Sequence, residues 1–306
     1  MRFIAVLNRD GGTLRTTDLT AFSNRLTSVL TAAGHTVDIN LVDGKDVVAA
    51  LKKAASRKWA DVIIAGGGDG TVSAAAAALM NSDKALAVLP AGTMNLFARG
   101  LGIPQQLDAA LQAFAGGDVR AVDLASADGK PFVHQFSIGL HAKMVVLREK
   151  MEFASRLGKI GASVKAAYRT VMNPPSMRVQ LTIGGTEIVT RTSGIGISNN
   201  LFGEGHLPYA DEPDGGVLGI YVTVAQERGE LIRMAANMAR GKWRDNDHVE
   251  IHEAEEAELK LLSKNRRFRC VIDGELYPLK ETTRIRIHKK ALKVLVPSAE
   301  KNAKAA

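Results

Sequence analysis

Six consecutive residues, Gly66-Gly67-Gly68-Asp69-Gly70-Thr71, carry the first chemical signal in the chain. Three glycines strip side chains from a turn and permit positive φ, so backbone N–H groups can come close to an anion. A helix starting near Val72 would aim its positive dipole end at the same point, as phosphate sites do. Asp69 is then a carboxylate where negative charge is already expected, and a divalent cation between it and a nucleotide phosphate reconciles the two. A tight strand-to-helix turn with Asp69 as N-cap uses the same residues with no ligand. A second turn, Pro90-Ala91-Gly92-Thr93-Met94-Asn95, adds a hydroxyl and an amide that can bond a phosphate, a ribose or a base without adding charge. Two such turns on neighbouring strand ends favour a phosphate site over two incidental turns.

The elements that must position these turns follow a regular order. Residues 3–7 read as a strand, followed by the polar turn Asn8-Arg9-Asp10-Gly11-Gly12-Thr13. Asp18 to Ala33 reads as a helix with Leu19, Phe22, Leu26, Val29 and Leu30 on one face. Strands at 37–42, 61–65 and 85–89 alternate with helices at 47–55 and 73–80, and Leu96 to Leu101 begins a short helix. That alternation predicts a doubly wound parallel sheet with ligands beyond the strands' carboxyl ends. From Val119 the pattern becomes strands and turns, at 119–124, 132–138, 177–183, 187–197, 217–224, 248–262, 267–272 and 284–288, which predicts an antiparallel sandwich or barrel. The expected division is a nucleotide-binding α/β domain over 1–125, a β-rich domain over 126–296 and a tail over 297–306 that returns to the first domain.

One helical insertion, roughly 145–172, interrupts the β-rich half. It sets Arg148, Lys150, Arg156, Lys159, Lys165 and Arg169 beside Met144, Met151, Phe153, Leu157, Ile160, Val164 and Tyr168. Such a basic amphipathic segment suits an anionic bilayer surface. A surface helix docked on its own domain, the more common use of such a pattern, has the same sequence.

At 306 residues the chain can bury two modest cores, and 46% hydrophobic with 24% charged residues is the balance of an ordinary soluble protein. No apolar run approaches the roughly 20 residues of a membrane span, so a cytosolic location is expected. Cys270 is the only cysteine, which excludes an internal disulfide and a multi-cysteine zinc site; it reads as a buried thiol in a strand. The net charge of +8 calls for an acidic partner. Aromatics make up only 5% of residues, too few for the interleaved pattern of RNA binders, so nucleic acid is not expected. A homo-oligomer is compatible with the sequence.

Gly67-Gly68-Asp69-Gly70-Thr71, Pro90 to Arg99, and Ile272-Asp273-Gly274-Glu275 together resemble the diacylglycerol kinase catalytic-domain family, which includes bacterial soluble lipid kinases and the sphingosine and ceramide kinases. The resemblance covers nearly the whole chain. NAD kinases share a similar Gly-Gly-Asp-Gly signature, so the first motif alone would not separate the two. The resemblance implies an active site in the cleft between two domains, with ATP on the glycine turns and lipid chiefly over the second domain. It assigns nucleotide contacts to Asn8, Gly67, Gly68, Asp69, Gly70, Thr71, Gly92, Thr93 and Asn95. It implies a water-mediated Mg²⁺ network at Asp69 with Asp123, and Glu275 as proton acceptor with Asp273 beside it. Asp214 would hold a structural Mg²⁺ in the second domain, with the Asp211 and Gly216 carbonyls as further ligands.

Strand alternation places Asp273 and Glu275 on one side, whereas Asp273-Gly274 alone reads as a hairpin turn. Where some members have an acid in the Mg²⁺ network, this chain has Leu96, and Met94 occupies a position that is often glycine. His134 stands where an Asn is common and reads as a core or hydrogen-bonding residue. The sequence thus predicts an ATP- and Mg²⁺-dependent kinase acting on a lipid hydroxyl, diacylglycerol first and a sphingoid or ceramide lipid next, meeting membranes peripherally. The alternatives are NAD kinase-like phosphorylation of a soluble acceptor and a non-catalytic nucleotide or lipid binder.

Overall fold

The computed structural model describes residues 1–150, 156–225, 227–242, 244, 246–263 and 268–298. Met151, Phe153 and the tail beyond 298 lie outside the described residues, as do the side chains of Arg156, Leu157, Lys159 and Ile160. The chain divides into two compact units, one of residues 1–124, 211–214 and 288–306, the other of 125–210 and 215–287.

The first unit is α/β. Its elements are β1 (Arg2–Asn8), α1 (Leu19–Ala32), β2 (Thr36–Val42), α2 (Val47–Ala55), β3 (Val62–Gly67), α3 (Asp69–Leu79), β4 (Ala85–Pro90), α4 (Leu96–Gly100), α5 (Leu107–Ala115) and the first part of β5 (Asp118–Ala127). Helix α1 starts where Asp18 Oδ1 accepts the Thr20 and Ala21 amides, both at 3.0 Å. It buries Phe22, Leu26 and Leu30, four residues apart, each burial being worth about 2 kcal/mol. Strands β3 and β4 are buried along their whole length, as fits central strands covered on both faces. The parallel order is β2-β1-β3-β4, so β1 and β3 lie side by side while their crossovers run in opposite directions along the sheet. Ligands of open α/β sheets bind at such a switch point.

The second unit is β-rich. It holds β6 (Lys130–Phe132), β7 (Gln135–Gly139), α6 (Leu140–Glu149), α7 (Arg156–Met172), β8 (Met177–Ile183), β9 (Thr186–Thr192), β10 (Gly194–Asn199), β11 (Leu218–Thr223), α8 (Arg228–Ala239), β12 (Val249–Ala254), β13 (Glu256–Leu261), β14 (Arg269–Ile272), β15 (Glu275–Pro278) and the first half of β16 (Thr282–Val296). One antiparallel sheet runs β12-β11-β10-β7-β14-β15; β9, β8, β13 and the start of β16 pair antiparallel in another. Phe136, Ile138, Ile195, Ile197, Leu218 and Ile220 of the first meet Met177, Val179, Leu181, Leu259 and Ile285 of the second in one core. That is the sandwich-like arrangement the strand pattern predicts.

Several sequence expectations need correction. The single strands read at 187–197 and 248–262 are each two strands in different sheets, broken at Ser193 and Glu255. A chain leaving one sheet for the other turns within one residue and leaves no gap in its apolar pattern. Helices α5 and α8 were not anticipated, although Glu227 and Glu230 form a capping box at the start of α8. The linear division at 125/126 also misses two returns, at 211–214 and 288–296. Strand β16 is long enough to end in the first unit, where Lys293 and Val294 pair in parallel with Ala85 and Leu86 of β4.

Candidate nucleotide and acceptor sites

In the first unit the three turns after β1, β3 and β4 are sewn to one another. The Ala91 amide donates to the Gly67 carbonyl at 3.0 Å, and the Thr13 amide donates to the Ala91 carbonyl at 2.7 Å. Gly12 has φ +46, and a Cβ there would lie 1.8 Å from the Ala91 oxygen, so only glycine lets the first turn rest on the second. Asn8 Nδ2 donates to Thr71 Oγ1 at 3.4 Å, linking the first turn to α3. A Cβ on Gly92 would come within 2.8 Å of Gly68 Cα, so the two glycine turns touch backbone to backbone.

Helix α3 begins at Asp69 rather than near Val72, with Gly68 as its N-cap. The Gly68 carbonyl accepts the Thr71 and Val72 amides. The amides of Asp69 and Gly70 precede that ladder and stand at the positive end of the helix. Asp69 caps a different helix: its oxygens accept the amides of Asn95 at 3.3 Å and Leu96 at 3.1 Å, at the start of α4. Asn95 sits at φ 50. Its Oδ1 accepts the Gly92 amide at 2.8 Å, while its Nδ2 donates to the Gly92 carbonyl at 3.2 Å and to Gln105 Oε1 at 3.3 Å. The Asn95 side chain is thereby occupied in shaping the turn, whereas Thr93 is exposed at its tip. The cradle's chemistry is main-chain amides, with side chains as its frame.

Each Asp69 oxygen keeps a lone pair beyond the amide it accepts, which suits a water-mediated contact to Mg²⁺ more than direct chelation. Asp123 is 1% exposed, and its Oδ1 accepts the Lys290 amide at 2.8 Å. The Asp214 carboxylate accepts from the Arg120 guanidinium, and residues 211–214 group with the first unit, not the second. A carboxylate already holding a guanidinium does not fit the structural Mg²⁺ ligand set of Asp214, Asp211 and Gly216. Among the described residues no three His, Cys, Asp or Glu side chains gather as a direct metal site would need.

In the second unit Asp273 and Glu275 are not neighbours along one strand. Asp273 (φ 45) and Gly274 (φ 87) form the turn between β14 and β15, and Glu275 opens β15 opposite Ile272. The hairpin prevails because Asp-Gly accepts positive φ at both positions. Asp273 is 9% exposed, and its oxygens accept three amides, Val133 at 2.8 Å, His134 at 2.9 Å and Gln135 at 3.1 Å. It fastens the entry to β7, while Glu275 is exposed. Next along β7 and α6, His141 Nδ1 meets Ser137 Oγ at 2.7 Å and Gln135 Nε2 at 3.3 Å. Burial holds the His141 imidazole down to about 4, aided by the charge of Arg148, and holds His134 down to about 3. Cys270 is buried, and burial raises its thiol pKa, as expected of an inert core residue.

The diacylglycerol kinase catalytic domain profile matches residues 2–127, and the YegS C-terminal NAD kinase beta sandwich-like domain matches residues 136–296. The chain belongs to the diacylglycerol kinase catalytic-domain family. Among its relatives, an uncharacterized protein of Synechocystis is 30% identical over 212 residues, which is 66% of this chain and 48% of the relative. Lipid kinase YegS of Escherichia coli K12 is 28% identical over 145 residues, 46% of this chain and 48% of that protein. The matched stretches thus span about half the length of these curated relatives. A crystal structure of a diacylglycerol kinase from Bacillus anthracis superposes with a TM-score of 0.74 at 20% identity, covering 97% of each chain, and shares the fold. Within this kinase family pattern, sequence reasoning missed the framing residues Gly12, Thr13, Gln105, Arg120 and Lys290. Gly11-Gly12 was a visible signal; the partners of Thr13, Arg120 and Lys290 lie 78, 94 and 167 positions away, and Gln105, 10 positions from Asn95, carries no motif.

Proposed function

We propose that this chain is an ATP- and Mg²⁺-dependent lipid kinase that transfers the γ-phosphoryl group to a lipid hydroxyl, of the diacylglycerol type first and a sphingoid or ceramide lipid next. The observation that carries this reading is the pair of glycine turns, sewn together by Asp69 within the segment that matches the kinase catalytic domain. Main-chain amides at the start of α3 hold phosphate oxygens, and the fixed turns spare the reorganisation that a flexible loop would require. Asp69 would hold Mg²⁺ through water, and that charge offsets the negative charge of the phosphates. Glu275 accepts the proton of the lipid hydroxyl as its oxygen bonds to the γ-phosphorus, the bond to the bridging oxygen breaks and ADP leaves. Asp273 positions the hairpin that presents Glu275.

Replacing Glu275 by Ala should abolish ATP-dependent lipid phosphorylation while nucleotide affinity stays within a few-fold. Turnover like that of the wild type would refute the assignment. The same assay with NAD in place of mixed lipid vesicles separates a soluble acceptor from a lipid one.

Peripheral membrane contact is part of the proposal. Helix α7 buries Ala166 and Thr170, while Val164 and Tyr168, both 66% exposed, lie beside exposed Lys165 and Arg169. Apolar groups flanked by cations on one helix suit a bilayer surface of anionic lipid. No helix among the described residues is long and apolar enough to cross a membrane. Exchanging Lys165 and Arg169 for Gln and Tyr168 for Ser should reduce sedimentation with anionic vesicles several-fold; undiminished binding would return α7 to a plain surface helix.

A further inference from the structure

We infer that Arg120 stands in this chain where the family resemblance implies a structural cation, so that residues 211–214 are fastened without metal. These four residues are counted with the first unit although the chain on either side of them, 125–210 and 215–287, belongs to the second. Two bonds from one strand, β5, hold them: Arg120 Nη2 donates to Asp214 Oδ1, and the Asp123 amide donates to the Pro213 carbonyl at 2.9 Å. Asp123 in turn accepts the Lys290 amide, so the same strand also fixes the returning end of β16, where Lys290 takes φ 55.

The chemistry of the pair disfavours a metal at the same carboxylate. A guanidinium cannot lose its proton at ordinary pH, so its charge stays beside Asp214 and repels a divalent cation that approaches the same oxygens. Exposed Asp211 and Glu212 add negative charge nearby, but a cation bound there would have to displace Arg120 to use Asp214. Arg120 and Asp123 are therefore positioning residues, and this role does not depend on which lipid or nucleotide the protein takes.

The test uses the nucleotide-free full chain. Thermal unfolding in chelator and in millimolar Mg²⁺ should give the same melting temperature. Arg120→Gln and Asp214→Asn should each lower that temperature by about 2 °C in chelator, and the double variant should melt no lower than the weaker single, because both changes break one interaction. Mn²⁺, followed by its electron paramagnetic resonance signal, should remain free in solution with the wild type. A wild type that melts lower in chelator and recovers with Mg²⁺ would overturn the inference. So would singles that melt like the wild type, additive singles, or stoichiometric Mn²⁺ binding that Asp214→Asn removes.

Discussion

The glycine cradle of the first unit and the Asp273 hairpin of the second carry their chemistry in opposite ways. In the cradle the groups that would meet a ligand are backbone amides, and the polar side chains Asp69, Asn95 and Asn8 serve as stitching. In the hairpin the backbone is stitched by Asp273, and the group proposed to react is a single exposed side chain, Glu275. A main-chain site is therefore sensitive to any side chain that pushes turns apart, whereas a side-chain site can lose its chemistry without losing its shape.

Paired glycine substitutions should bring out this contrast most strongly. Gly12→Ala places a methyl against a backbone oxygen at a positive φ, and it should lower ATP affinity by more than tenfold and destabilise the first unit by roughly 3 kcal/mol. Gly274→Ala also has positive φ but nothing within 4 Å of the new Cβ, so only about 1 kcal/mol should be lost, with ATP affinity intact. Isothermal titration with ATP and denaturant unfolding read both effects; equal losses would erase the distinction between the two regions. Next in size, Asp273→Ala leaves three amides without their acceptor and should cost about 3 kcal/mol in urea unfolding, without direct effect on nucleotide binding.

Per pH unit, a smaller effect is expected from pH. The His134 and His141 imidazoles stay neutral in the folded protein down to about 3 and about 4, against an ordinary value of 6.5. Below 6.5 the unfolded chain takes up protons that the folded chain refuses, so stability falls as pH drops from 6.5 towards 4, by at most about 1.4 kcal/mol per histidine per pH unit. His141→Gln should flatten that slope when melting is followed across the window, and an unchanged slope would show that His141 does not contribute to it.

The sequence made local features legible and left distant ones hidden. Asp18 before an apolar stripe announced α1, and the buried runs of β3 and β4 announced a parallel sheet, because each signal depends on near neighbours alone. The glycine turns were visible for the same reason. That Asp69 would cap α4, or that Asp214 would meet Arg120, depends on pairings across 26 and 94 positions that no local pattern encodes. Asp273 lay between these cases: the dipeptide signalled its turn correctly, but its three amide partners lie some 140 residues away.

Strand β16 has a consequence for how such a chain can be cut and recombined. Because residues 288–296 complete the sheet beside β4 after the whole β-rich stretch has been passed, the α/β unit is not a contiguous cassette. A fragment ending at Leu124 would leave the pairing edge of β4 open to other molecules. Grafting 288–296 back through a short linker is the minimal remedy. A gene-level crossover between relatives should preserve both units only when it exchanges the C-terminal strand and residues 211–214 together with the N-terminal half.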